Sequence, residues 1–375
     1  MKQKKILLIL FIFTSCFWSS GKIQIKDDSL FHLIIDAGSS GTRFCLYTIQ
    51  KNSNGKRTSC KADYAGGDYR QCKEIIATNG IARLGLEEGK NVLLKGLADL
   101  EFKYPALRAK IKKVIITGTG GFREILASEA TAIMSGLEDF LKKKGYETEG
   151  KIITGEEEAE LAYYSSLQIS ADHEIPAILE IGGASIQLAF PAGGQESAPI
   201  SKVSDSIGAV SSYKTLTENP NYKNECFQAP SEFFRSRVVE NPFEACRNLI
   251  LQETLEKSRI KSFLLAEPFP SGTKVLGMGA LWGAIFKHLD EKTLSREKID
   301  ETGKKYCLLT AKELNKKYDI PEKYASKQCY SYAYLSALME FANLKEIHSG
   351  NGESYTLGAA VSPAYFECAP SVPAL

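Results

Sequence analysis

Two stretches decide the reading, IIDAGSSGTRF at residues 34–44 and EIGGASIQLAF at residues 180–190. In each, an apolar run ends in an acid, Asp36 or Glu180, passes through a turn of glycine and small residues, and returns as a second apolar run. Short apolar runs around a glycine-bearing turn read as a β-hairpin. Glycine lets the backbone come close to an anion, and consecutive N–H groups of small residues can face phosphate. An acid beside phosphate repels it unless a cation lies between them. Magnesium keeps several waters and takes one or two carboxylates plus substrate oxygens. Asp36 and Glu180, one from each loop, suit that arrangement. One such loop alone reads more simply as an ordinary turn; a matching pair in one chain weighs against that.

Working outward, Leu30–Asp36 and Arg43–Thr48 flank the first turn as strands, and 176–181 and 185–190 flank the second. The spacing predicts helices over 91–108, 124–141 and 156–167, the last opening on three acids where the helix dipole favours them. Short strands are expected at 113–117, 151–154 and 273–277, and further helices at 280–289 and 330–344. The stretch from about 191 to 270 reads as polar and irregular. Strands alternating with helices, with hairpins among them, imply α/β lobes with mixed sheets. A length of 375 residues suits two lobes. A formal net charge of +2 does not point to nucleic-acid binding.

The N-terminus has the basic, apolar, small-residue order of an export signal, expected over 1–21: Lys2, Lys4 and Lys5, then Ile6 to Phe13, then Ser19, Ser20 and Gly21. The run is too short to cross a bilayer, and no later stretch is long enough to be a transmembrane helix. Phe13-Thr14-Ser15-Cys16 is similar to a bacterial lipoprotein cleavage box except for Phe where Leu is usual. Cys16 is therefore either lipidated or lost with the signal. Of nine cysteines, three pairs are close in sequence: Cys60 with Cys72, Cys226 with Cys246, and Cys307 with Cys329. None has the spacing of a zinc or redox motif, so disulfides in an oxidising compartment are expected. Cys45, in a β-like run, reads as a free buried thiol. The export signal implies a periplasmic or secreted location, and the absence of an Asn-x-Ser/Thr sequon points to a bacterium.

The order of motifs resembles the nucleoside triphosphate diphosphohydrolases, or ecto-apyrases, over about residues 30 to 365. IIDAGSSGTRF resembles their first signature, TGTGGFRE (117–124) the second, ITGEEEAELAYY (153–164) the third and EIGGASIQLAF the fourth. VLGMGALWGAI (275–285) is a weaker match to the fifth, and ESYTLGAAV (353–361) resembles the C-terminal motif. The resemblance implies an actin-like (ribonuclease-H-like) duplicated α/β fold with a nucleotide cleft between two lobes. Lobe I would take 29–162 plus about 356–375, and lobe II 163–355. It implies a monomer hydrolysing nucleoside tri- and diphosphates with Mg2+ or Ca2+. Ser39, Ser40, Gly41, Thr42 and Arg43 would form one phosphate loop, and Gly182, Gly183 and Ala184 the other, with Gly120 also on phosphate. Asp36 and Glu180 would hold the metal, largely through waters. Ser185 and Gln187 would orient the attacking water, Thr119 would belong to the catalytic set, and Glu158 would be the general base.

Helical spacing by itself leaves Glu156, Glu157, Glu158 and Glu160 open as candidates, since acids also favour a helix start for solvation alone. Base stacking would come from Tyr334 in the run Tyr330, Tyr332, Tyr334, unless these residues pack the core. The chain departs from the family at Glu180, where Asp is usual, at Ala159, where Gly is common, at Trp282, where a smaller aromatic is frequent, and at Tyr355, which replaces Trp. An exopolyphosphatase or guanosine-pentaphosphate phosphohydrolase of the same superfamily is the nearest alternative, and a non-enzymic nucleotide-binding module the next. None of His32, His173, His288 and His348 pairs at a metal-ligand spacing, and His32 reads as a packed or edge residue of the first strand.

Overall fold

A computed structural model describes residues 31–39, 41–54, 57–64, 73–75, 80–104, 106–169, 176–191, 199–218, 226, 241–266, 269, 272–350, 354–361 and 369–370. Ser40, Cys72 and residues 1–21, over which an export signal is expected, lie outside them, and so does the side chain of Cys60.

The strands in chain order are β1 (Phe31–Ala37), β2 (Thr42–Asn54), β3 (Arg57–Tyr64), β4 (Lys73–Ile75), β5 (Ile111–Gly118), β6 (Thr148–Ile152), β7 (Ala177–Ile181), β8 (Ser185–Phe190), β9 (Ile200–Asp205), β10 (Val275–Met278), β11 (Thr293–Ser295), β12 (Glu346–Ser349) and β13 (Ala369–Pro370). They form two sheets, in the orders β13-β3-β2-β1-β5-β6, with β4 on β2, and β11-β12-β10-β7-β8-β9. In the first, β1, β2 and β3 run antiparallel, and β5 and β6 then add in parallel. The second repeats this: β7, β8 and β9 antiparallel, then β10 and β12 in parallel. The echo between the two loops therefore extends to a whole duplicated topology.

Alternation along the strands directs the chemistry. Leu33, Ile35 and Ala37 of β1 pack against helices on the outer face, whereas Ile34 joins a central cluster with Cys45, Tyr47, Ile115, Ile178, Ala189 and Leu276, drawn from both sheets. Successive strand side chains point to opposite faces. Asp36, Arg43 and Thr117 thus share the central face of the first sheet, and Glu180, Ser185 and Gln187 that of the second. Every residue of β1 is buried, and each large apolar side chain there contributes about 1.5–3 kcal/mol. The acid that ends the strand sits on a stiff support.

Several elements differ from the sequence reading. The helix expected over 91–108 runs Ile81–Lys103 with a break at Gly85, whose φ of 78° is left-handed; the polar residues around the break hid its first turns. The stretch 191–270 carries β9 and helices Ala209–Glu218, Pro242–Ile250 and Arg259–Ala266, with a π-helical turn Leu251–Leu255 between the last two. Its short amphipathic pieces bury only narrow stripes, which leaves the sequence polar on average. Cys226–Cys246 and Cys307–Cys329 are disulfides with Cα separations of 4.7 and 4.6 Å. Cys45 is also disulfide-bonded, not a free thiol. Its neighbours in sequence carry no cysteine, so the pairing depends on tertiary packing. The Cys60–Cys72 expectation lies outside the described side chains.

Candidate active site

The register places the first acid. Asp36 lies opposite Arg43 on β2 and Thr117 on β5. It is buried, and its Oδ2 lies 2.5 Å from Nη1 of Arg43. Its Oδ1 accepts a hydrogen bond from the Tyr355 hydroxyl at 2.7 Å. Arg43, expected on phosphate, has at least one guanidinium nitrogen engaged by Asp36. Thr42 is buried with its Oγ1 unpartnered. The Gly38 N–H donates to the Gly41 carbonyl at 3.0 Å and closes the first loop.

The second loop matches it. The Gly182 N–H donates to the Ser185 carbonyl, also at 3.0 Å, and Glu180 lies opposite Gln187 and Met278. Arg43 in the first unit thus corresponds to Gln187 in the second. The Glu180 carboxyl is buried with Oε2 unpartnered. Burial, and then repulsion from Glu158 and Asp36, hold its pKa well above the usual carboxylate range; Arg43 and the Tyr355 backbone N–H oppose this.

The turn Thr119–Gly121 is wedged between the two loops. A Cβ on Gly120 would come within 2.7 Å of Ala184 Cβ, and one on Gly121 within 2.8 Å of Ser39 Cα. Only glycine permits that approach. The turn leads into the short helix Gly120–Arg123, which delivers Arg123. Nη1 of Arg123 donates to Glu158 Oε2 at 3.0 Å and to the Ile153 carbonyl at 3.1 Å. Nη2 donates to Ser185 Oγ at 3.3 Å and to Asp205 Oδ1 at 3.1 Å. One guanidinium therefore ties a carboxylate of the helix Gly155–Ile169 to the second loop. Gln187 Nε2 also donates to Ser185 Oγ, at 2.6 Å. Ser185 Oγ accepts twice, so its own proton is available for a further acceptor.

Four acids open the helix Gly155–Ile169, and packing separates them. Glu157 forms a capping box with Thr154 and pairs with Lys151. Glu160 accepts from Tyr164, and Glu156 is exposed. Glu158 alone is buried, at 6% exposure. Burial raises its pKa to about 7; Arg123 pulls it down, and Asp36 and Asp205 push it up. At neutral pH such a carboxylate is poised to take a proton.

Asp36, Glu158 and Glu180 thus form a buried group of acids that repel one another, with one oxygen unpartnered. Among the described residues, no three His, Cys, Asp or Glu side chains stand close enough to ligate an ion directly. A divalent cation held through waters would relieve that repulsion. Magnesium takes one or two carboxylates and keeps several waters. A cavity of about 460 Å³ opens beside Asp205, walled also by Glu156, Ser206, Ser212 and Arg259, but none of the three acids lines it.

Tyr334 is not available for stacking. It is fully buried, stacks on Tyr330 and donates its hydroxyl to the Ile207 carbonyl; the aromatic run packs the core behind the second sheet. Arg123, Asp205 and Tyr355 were not among the sequence-derived candidates. Arg123 carried a signal, as part of TGTGGFRE, and Tyr355 stood out as a departure. Nothing in the sequence marks Asp205.

A model of the GDA1/CD39 (nucleoside phosphatase) family matches residues 22–224. A search of the curated proteins finds no match. Solved structures with a similar fold include the Aquifex aeolicus member of the Ppx/GppA family, 16% identical with a TM-score of 0.58, covering 90% of this chain and 98% of its own. An exopolyphosphatase from Cytophaga hutchinsonii is 14% identical with a TM-score of 0.56, over 90% of this chain and all of its own. A nucleoside triphosphate hydrolase from Neospora caninum is 12% identical with a TM-score of 0.55, over 90% of this chain and 93% of its own. At these identities the likeness concerns the fold, which is actin-like: α/β with two mixed sheets.

Proposed function

The chain belongs to the GDA1/CD39 nucleoside phosphatase family, and from that premise we propose that it hydrolyses the terminal phosphates of nucleoside tri- and diphosphates. The observation that carries the reading is the Arg123 bridge, which ties Glu158 to Ser185 of the second loop. Glu158 takes the proton of the attacking water. Ser185, held by Arg123 and Gln187, spends its free proton orienting that water or a phosphate oxygen. Backbone N–H groups of 39–43 and 182–184 receive the phosphates, with Thr119 and Gly120 closing the space between the loops. A bound divalent ion, Mg2+ or Ca2+, would neutralise phosphate charge; Asp36 and Glu180 would hold its waters. Positioning and charge neutralisation are what phosphoryl transfer needs, with little covalent participation.

The reading carries with it a two-lobe division, 29–162 with about 356–375 against 163–355, and an exported monomer. Among the described residues no helix is long and apolar enough to cross a membrane, and the disulfides suit an oxidising compartment. Polyphosphate hydrolysis is the second reading, favoured by the likeness in fold to an exopolyphosphatase. The test is phosphate release from ATP, ADP, GTP, GDP and long polyphosphate, with Mg2+, with Ca2+ and with chelator. Turnover of nucleotides that chelator abolishes is expected. Activity confined to polyphosphate would replace the substrate assignment, and full activity in chelator would remove the metal role.

A further inference from the structure

Tyr355 touches Asp36, one of the two acids proposed to hold the cation. Its hydroxyl donates to Asp36 Oδ1 at 2.7 Å. Asp36 and Glu180 end equivalent strands of different sheets, and Tyr355 is itself buried, at 2% exposure. We propose that Tyr355 is the positioning residue that fixes the Asp36 carboxylate in the cation site it would share with Glu180. The inference rests on the metal reading above.

Proton accounting fixes the direction of the bonds. The phenol has one proton and donates it to the carboxylate, which only accepts when ionised. The contact of 2.7 Å between the phenol oxygen and Thr117 Oγ1 must then be donated by Thr117. The longer approach of Thr117 Oγ1 to the Ile35 carbonyl, 3.3 Å, is the weaker alternative for the same proton. A directed chain results, Thr117 to Tyr355 to Asp36. With Arg43 on Oδ2 and Tyr355 on Oδ1, both Asp36 oxygens have a fixed donor, and each keeps a second lone pair. The carboxylate plane cannot turn without breaking a charge-assisted bond.

The residue is held as firmly as it holds. Its helix, Tyr355–Val361, is bound by the Gly358 N–H to Ser165 Oγ at 2.7 Å, and Ser165 Oγ donates to the Ser354 carbonyl at 2.7 Å. Tyr47 and Thr356 join hydroxyls at 2.9 Å. A Cβ on Gly358 would lie 1.8 Å from the Leu161 carbonyl oxygen, so this helix lies directly on the one that carries Glu158. The helix that orients Asp36 and the helix that carries the base are packed as a unit. Ions of the magnesium type demand near-octahedral geometry, and outer partners that orient the holding groups govern affinity.

The test is Mn2+ binding to the full chain without nucleotide, read by electron paramagnetic resonance, alongside thermal unfolding in chelator. Tyr355→Phe deletes only the hydroxyl and is expected to weaken Mn2+ binding about 10–100-fold, the usual effect of removing an outer partner. The metal concentration for half-maximal turnover should rise in parallel. A folded Tyr355→Phe protein that binds Mn2+ like the unmodified chain overturns the inference, whether or not its unfolding temperature falls. If that variant does not fold, Thr117→Val carries the test by removing the hydroxyl that orients the phenol. It should weaken Mn2+ binding about threefold or more, and unchanged binding overturns the inference. Absence of Mn2+ binding by the unmodified chain overturns the metal reading itself, a different result from equal binding by chain and variant.

Discussion

Replacing Glu158 with Gln tests catalysis and stability together, because the two should move in opposite directions. Burial lifts the Glu158 pKa from 4.5 to about 7 even with Arg123 beside it. The folded protein therefore keeps this proton over a range in which the unfolded chain has lost it. Stability falls as pH rises through that window, since the folded state binds more protons there than the unfolded. The loss is complete above the folded pKa, and the shift corresponds to about 3 kcal/mol. Glu158→Gln carries no charge to desolvate. It should match the unmodified protein below about pH 4 and exceed it by up to about 3 kcal/mol near pH 8. Catalysis should show the reverse. If Glu158 is the base, kcat/KM climbs with its ionised fraction, from about one tenth near pH 6 to about nine tenths near pH 8. In Glu158→Gln this limb should vanish and kcat fall about 10²–10⁴-fold, with nucleotide affinity retained. Denaturant unfolding in chelator and steady-state kinetics across pH give both readouts. A variant with near-normal turnover, or one no more stable than its parent near pH 8, would refute the reasoning.

Further outcomes follow from the same geometry. Arg123→Met should lower turnover and move the acidic limb of kcat/KM to higher pH, because Arg123 is what pulls the Glu158 pKa down; an unmoved limb in an active variant would contradict the bridge. Glu157→Gln should leave turnover near normal and cost about 1 kcal/mol or less in unfolding assays, since Glu157 serves the capping box and Lys151. Ser185→Ala should reduce turnover, and combining it with Glu158→Gln should add little, because both act on one water; additive losses would separate their roles. Breaking Cys226–Cys246 by Cys246→Ser should cost about 2–4 kcal/mol, measured as a lower denaturation midpoint at unchanged nucleotide affinity.

Much of the site was legible because it is local. The alternation of β1 and β7, the acid at the end of each, and the glycines that follow are patterns a few residues long, set by pleat and turn geometry. They identify two like hairpins and, through the order of motifs, the family. Local spacing could not choose among Glu156, Glu157, Glu158 and Glu160, because all four satisfy the same preference for a helix start. Burial against the second sheet made the choice. Tertiary packing also placed Tyr334 inside the core, paired Cys45, and brought Arg123, Asp205 and Tyr355 to the loops. Those contacts join residues distant in the chain: Tyr355 with Asp36, Arg123 with Asp205. No periodicity encodes them, because their partners are selected by how the two sheets and the returning C-terminal helix fill space. The sequence by itself determined which groups were on offer and which face of each strand they take; the tertiary structure decided which of them meet, since only packing removes the water that would otherwise keep those charges apart.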